Sequence, residues 1–119
     1  MITPLRVRIE RVGSAKTVTA TVYGDLDLGN RHDVEQALRD SVPADVATLV
    51  LDLTHVGFLD SSAMEMLFEL HRDMERARGQ LVLAISPDAV ARRSIELADP
   101  IGLLLLYPSS ASALESLRA

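Results

Sequence analysis

The apolar run Thr48-Leu-Val-Leu-Asp-Leu53 is the feature that most restricts the fold. It is too short for a helix of its own and too rich in Val and Leu to lie open to water, so it predicts a strand buried on both faces. After Asp60 the period changes. Ala63, Met66, Leu67, Leu70, Met74 and Ala77 recur at three- and four-residue spacing, which predicts an amphipathic helix ending at Gly79, a residue favoured just past a helix. Asp60-Ser61-Ser62 therefore stands at a helix N-terminus, at the carboxyl end of a central strand. Open α/β sheets commonly place their working residues there.

The rest of the chain falls into place around that unit. From Leu5 to Val12, the residues Leu5, Val7 and Ile9 alternate with Arg6, Arg8 and Glu10, and Thr17 to Tyr23 alternates through Val18, Ala20 and Val22. With Gly13-Ser-Ala-Lys16 as the turn, these segments predict a hairpin whose first strand has one wet face and lies at an edge. Gly24-Asp-Leu-Asp27 breaks the second strand, and a helix from about Asn30 to Ser41 carries Val34, Ala37 and Leu38 inward until Pro43 closes it. Beyond Gly79, Gln80 to Ile85 is a second short apolar run. Ser86-Pro87-Asp88 predicts a helix start with Ser as cap and Pro at the first helical position. That helix presents Val90, Ser94 and Leu97 on one face and ends at Asp99-Pro100. Leu103 to Tyr107 predicts a third buried strand, and Ser109 or Ser110 opens a last helix with Ala113, Leu114 and Leu117. The order β-β-α-β-α-β-α-β-α, with right-handed crossovers, predicts an α/β domain whose last four strands are largely parallel and packed by about four helices.

Composition narrows the function. A chain of 119 residues, 48% hydrophobic, is expected to form one domain over residues 1–119. Its net charge of -5, its 3% of aromatic residues and its lack of any basic run beyond Arg92-Arg93 argue against nucleic acid or an anionic membrane as partner. With no cysteine, disulfides and thiolate catalysis are excluded. The start, Met1-Ile-Thr-Pro-Leu-Arg6, lacks the apolar core of a signal peptide, and no segment has the length to span a bilayer, so a cytoplasmic location is expected. The glycines at 13, 24, 29, 57, 79 and 102 never cluster into a phosphate loop, and no cofactor is expected. His32, His55 and His71 lack the i, i+4 spacing of a zinc helix. Asp25 and Asp27 could form a carboxylate pair, but that spacing is commonplace in a turn, which is the stronger reading. Nothing supplies a nucleophile with an adjacent base, so the chain is not expected to be an enzyme.

The Asp60-Ser61-Ser62 element admits two readings. In one, a residue of the element caps the helix and Ser62-x-x-Glu65 forms a capping box, worth about 1 kcal/mol. In the other, an exposed serine takes a phosphate, whose added charge of about -1.5 to -2 suits helix N-terminal amides. Spacing alone favours the first. The helix also carries a surplus: Met64 and Phe68 stack at i and i+4 to one side of its inner stripe. They mark either burial over a wide arc or an exposed apolar patch beside Ser61 that offers a partner its anchor.

Several stretches together resemble the STAS domain of bacterial anti-sigma factor antagonists. They are Gly24-Asp-Leu-Asp27, similar to the family's Gly-Glu-Leu-Asp, then Leu49-Val-Leu-Asp-Leu53, Phe58-Leu-Asp-Ser-Ser62, Ala84-Ile-Ser-Pro87 and Tyr107-Pro-Ser109. The resemblance covers nearly the whole chain. It implies that Ser61, rather than Ser62, is the phosphate acceptor, modified by an anti-sigma factor that is also a serine kinase and restored by a metal-dependent phosphatase. It further implies that only the unmodified form binds the anti-sigma factor and so releases the sigma factor. The expected partner surface comprises Asp25, Asp60, Ser61 and Ser62, with Met64 and Phe68 beside them. Where the family continues Gly-Leu-Gly this chain has Ala63-Met64-Glu65, and Glu65 brings a negative charge one turn along from the acceptor. The alternative is a STAS-like structural subunit of a lipid-transport ABC system, without a regulatory phosphate.

Overall fold

The computed structural model describes residues 6–11, 16–42 and 45–117. Among them the chain runs β1 (Arg6–Arg11), β2 (Thr17–Tyr23), α1 (Arg31–Ser41), β3 (Thr48–His55), α2 (Ser61–Arg76), β4 (Gln80–Ala84), α3 (Val90–Ala98), β5 (Leu105–Tyr107) and α4 (Ser110–Ser116). The strands form one sheet in the order β1-β2-β3-β4-β5. β1 pairs antiparallel with β2, and every later neighbour is parallel. Element order, strand directions and the edge position of β1 agree with the sequence-based expectation. Leu5, Val12, the Gly13-Ser-Ala turn and Pro43 lie outside the described residues.

β3 sits at the centre because both of its faces are apolar. Leu49, Leu51 and Leu53 join Val34, Leu38, Ala63, Met66 and Leu67 in the main core, whereas Val50 points the other way and packs with Val82 and Ala113 of α4. Each fully buried Val, Leu or Met among them contributes about 1.5 to 3 kcal/mol relative to exposure. Ser109 opens α4 as expected and forms a reciprocal capping box with Ser112.

Three elements differ from expectation. α2 stops at Arg76, and the left-handed backbone just beyond it falls on Arg78 (φ 62°) rather than on Gly79. Gly79 is required for a different reason. A Cβ there would stand 2.8 Å from the Ala47 carbonyl oxygen and 3.0 Å from Met74 Cε, because the chain passes close beneath the turn into β3 as it enters β4. Gly79→Ala is therefore expected to destabilise the protein by about 1 to 2 kcal/mol, read as a lowered urea midpoint, since a backbone atom must move to admit the methyl group.

α3 begins at Val90, four residues after Ser86, and has no side-chain cap. Ser86 instead closes a turn, its carbonyl accepting from Ala89 N at 3.1 Å. The buried row is Ala91 and Ile95, leaving Val90 and Leu97 exposed. So short a helix carries apolar residues on two rows, and packing into the main core selects one. β5 is not a buried strand either. It spans three residues with a single neighbour, and Leu105 is exposed while Leu106 and Tyr107 are half-buried, because among the described residues the sheet ends there. The approach to β5 is shaped by Asp99, whose buried carboxylate accepts from Leu103 N at 2.9 Å and Leu104 N at 2.8 Å.

Candidate functional site

The loops that leave β2 and β3 lie side by side at the carboxyl end of the sheet. Leu26 and Leu59 form a parallel bridge, with Leu26 N donating to Phe58 O at 2.9 Å and Asp60 N donating to Leu26 O at 3.3 Å. The first loop is a turn, as its residue types predict. Asp27 Oδ1 accepts from Gly29 N at 2.9 Å and Asn30 N at 3.2 Å, and Asn30 Nδ2 donates to the Asp25 carbonyl at 2.6 Å. Asp27 is thus occupied by backbone amides, and Asp25 on the same loop is exposed, its Oδ1 3.2 Å from where a Cβ on Gly57 would stand.

Asp60 caps α2. Its Oδ1 accepts from Ala63 N at 2.9 Å, satisfying a free amide of the first turn, while Oδ2 accepts from Leu28 N at 2.9 Å across the two loops. One carboxylate therefore starts the helix and ties it to the β2 loop. The expected Ser62–Glu65 capping box does not form, and Ser62 is not held by amides of the helix start. Its carbonyl and hydroxyl oxygens instead lie 3.2 Å and 3.4 Å from Arg31 Nη1. Ser61, relieved of any capping duty, is the first residue of α2 and is exposed.

Arg31, at the first position of α1, is a functional candidate that the sequence reading missed. Its Nε donates to Glu35 at 2.6 Å, Nη2 to Glu69 at 2.8 Å and Nη1 to Glu65 at 3.2 Å. The hydrogen bonds to Glu35 and then Glu69 raise its pKa above even the ordinary arginine value, so the charge is permanent. Glu65, the negative charge one turn along from the acceptor serine, is ion-paired. The i, i+4 spacing of Arg31 and Glu35 was a visible signal, but Glu65 and Glu69 reach Arg31 only through the packing of α1 against α2.

The expected apolar flank is not exposed. Met64 is 7% exposed and belongs to the main core, and Phe68 is half-buried against it, so α2 is buried over a wide arc. The exposed apolar side chains on the site loops are Leu28, at 76%, and Phe58, at 50%. Phe58 had a signal: it is one of two phenylalanines in the chain and falls two residues before the Asp-Ser-Ser element. The three histidines stay apart, His32 on α1, His55 stacked on Tyr23 at 4.7 Å and His71 paired with Glu75 at 3.0 Å. Among the described residues no three His, Asp or Glu side chains gather as metal ligands, and no helix is long and apolar enough to cross a membrane.

Comparison with known proteins follows the same lines. A family profile described as STAS domain matches residues 7–113. The crystal structure of an anti-sigma factor antagonist from Mycobacterium paratuberculosis is similar at 25% identity and a TM-score of 0.83, with all of both chains covered. The anti-sigma factor antagonist SpoIIAA in its unphosphorylated form shares the fold at 18% identity and a TM-score of 0.71, covering 96% of this chain and 99% of that one. The phosphorylated form of SpoIIAA, from Bacillus, aligns at 19% identity and a TM-score of 0.64, over 95% of this chain and 100% of that one. No curated protein sequence matches the chain significantly.

Proposed function

The chain belongs to the STAS domain family, and on that premise we propose that it is an anti-sigma factor antagonist whose switch is the Ser61 hydroxyl. The observation that carries this reading is the division of labour at the start of α2: Asp60 makes the cap, and Ser61 is left exposed with no structural task. A kinase can reach such a hydroxyl without unfolding the helix, and the amides of the first turn favour the charge it adds. Ser62 is a poorer acceptor because it is half-buried beneath Arg31. In this reading the unmodified chain binds a cytoplasmic anti-sigma factor that is also a serine kinase, phosphorylation of Ser61 ends binding, and a metal-dependent serine phosphatase restores it.

Capture from native cell extract with Ser61→Ala and Ser61→Asp proteins tests this. Recovery of a kinase-like anti-sigma factor by the alanine form alone supports the proposal. Recovery of transporter subunits by both forms identifies a structural subunit of a lipid-transport system instead. Mass spectrometry after incubation of the captured kinase with ATP and the unsubstituted chain is expected to find the phosphate on Ser61.

The surface offered to the partner is built from the two site loops and the first residues of α2. Asp25, Ser61, Leu28 and Phe58 are its exposed members, with Asp60 and Ser62 between them. Met64 belongs to the main core, and Phe68 packs half-buried against it. Partly exposed aromatic residues commonly anchor such contacts. Phe58→Ala is expected to weaken binding to the anti-sigma factor by about 1 to 2 kcal/mol in calorimetry while leaving the melting temperature nearly unchanged. An unaltered affinity would move the docking surface elsewhere.

A further inference from the structure

We propose that Arg31 is the internal receiver of a phosphate on Ser61: its Nη1 gives up Glu65 for the phosphate, and the Glu65 carboxylate is released to solvent. This deepens the Ser61 reading and rests on it. The three nitrogens of the guanidinium are held very differently. Nε and Nη2 make the short bonds to Glu35 and Glu69, at 2.6 Å and 2.8 Å, which fix the group over the first turn of α2. Nη1 is spread over Ser62 O at 3.2 Å and Ser62 Oγ at 3.4 Å, on the turn that Ser61 opens, and Glu65 at 3.2 Å, one turn along, three acceptors for two hydrogens. It is the nitrogen free to change partner while the other two stay in place.

Glu65 is the acceptor that loses least. Its side chain is 71% exposed, against 45% for Glu69 and 20% for Glu35, so water replaces Arg31 readily. A phosphate dianion is a stronger acceptor for a guanidinium than a carboxylate. The other charges that face this turn do not compete, because both oxygens of Asp60 are taken by backbone amides and Glu35 and Glu69 keep their own bonds. Modification thus does two things to the partner surface at once. It adds the phosphate, and it uncovers a second acid one turn along the same helix. Arg31 acts here as a positioning residue, and it explains how a chain with glutamate at position 65 accommodates a phosphate at position 61.

Phosphoserine inserted at position 61 during translation tests the exchange without any kinase, so the result is independent of whether Ser61 is the natural acceptor. The second ionisation of the phosphate is followed by phosphorus NMR, and the Arg31 Nε–Hε resonance is followed in the same samples. In the otherwise unsubstituted phosphoprotein the Arg31 resonance is expected to move with the same midpoint as the phosphate. In Arg31→Gln that midpoint is expected to rise by about 0.5 to 1 pH unit, because the neighbouring positive charge that favoured the dianion is gone. An Arg31 resonance that stays still through the titration, or a midpoint in Arg31→Gln equal to that of the unsubstituted phosphoprotein, overturns the proposal. If Arg31→Gln does not fold, the Arg31 resonance alone decides.

Discussion

Met64→Ala is expected to destabilise the protein by about 2 to 4 kcal/mol, the range for removing a large side chain from a packed core. Met64 is buried among the residues that join α2 to the sheet, so truncation leaves a cavity that rigid neighbours fill only in part. Chemical denaturation should show a lowered midpoint with an unchanged slope. The folded fraction should bind the anti-sigma factor with nearly the affinity of the unsubstituted chain, because the side chain does not reach the surface. A large loss of affinity at unchanged stability would restore the exposed apolar flank that helix periodicity suggested. Phe68 separates less cleanly, since it is half-buried and contributes to both core and surface.

Asp60→Ala is expected to cost about 2 to 3 kcal/mol, summing the loss of a helix cap and of a charge-assisted bond to a second loop. The two losses fall on different segments, and this makes the prediction specific. Hydrogen exchange should accelerate at Ala63 N, where the cap is lost, and independently at Leu28 N, thirty-two residues away in sequence from its acceptor. Asp60→Asn should recover about half of the stability, since one carboxamide oxygen can still accept from one of the two amides while its NH2 group cannot. Binding to the anti-sigma factor should fall further than stability does, because Leu28 is tethered by the second bond. Exchange that is unchanged at Leu28 would mean that the two loops do not depend on Asp60 for their registration.

The parts of this protein that were legible in its sequence are those encoded by near neighbours. The run Thr48 to Leu53 contains residues that only a two-sided core accepts, and the three- and four-residue spacing after Asp60 describes a helix whatever it packs against. The β-β-α-β-α-β-α-β-α order and the parallel strands follow from such local signals together with the handedness of crossovers. So does the position of Ser61 at a helix start, where turn chemistry and period change meet. Which residue would serve as the cap was not local in the same way, because Asp60, Ser61 and Ser62 are all competent caps. The choice went to Asp60, the member whose second oxygen also finds Leu28.

Everything decided by the tertiary structure involves a partner far along the chain. Gly79 is needed because Ala47 passes 2.8 Å from where its Cβ would be, a fact about the approach of two segments and not about helix ends. α3 buries Ala91 and Ile95 because the main core lies on that side, and β5 is half open because no sixth strand follows it among the described residues. Arg31 meets Glu65 and Glu69 across thirty-four and thirty-eight residues of sequence. Local pattern states what a segment prefers to be, but the charge beside a given serine depends on which helix is laid against it, and only the folded path of the chain determines that.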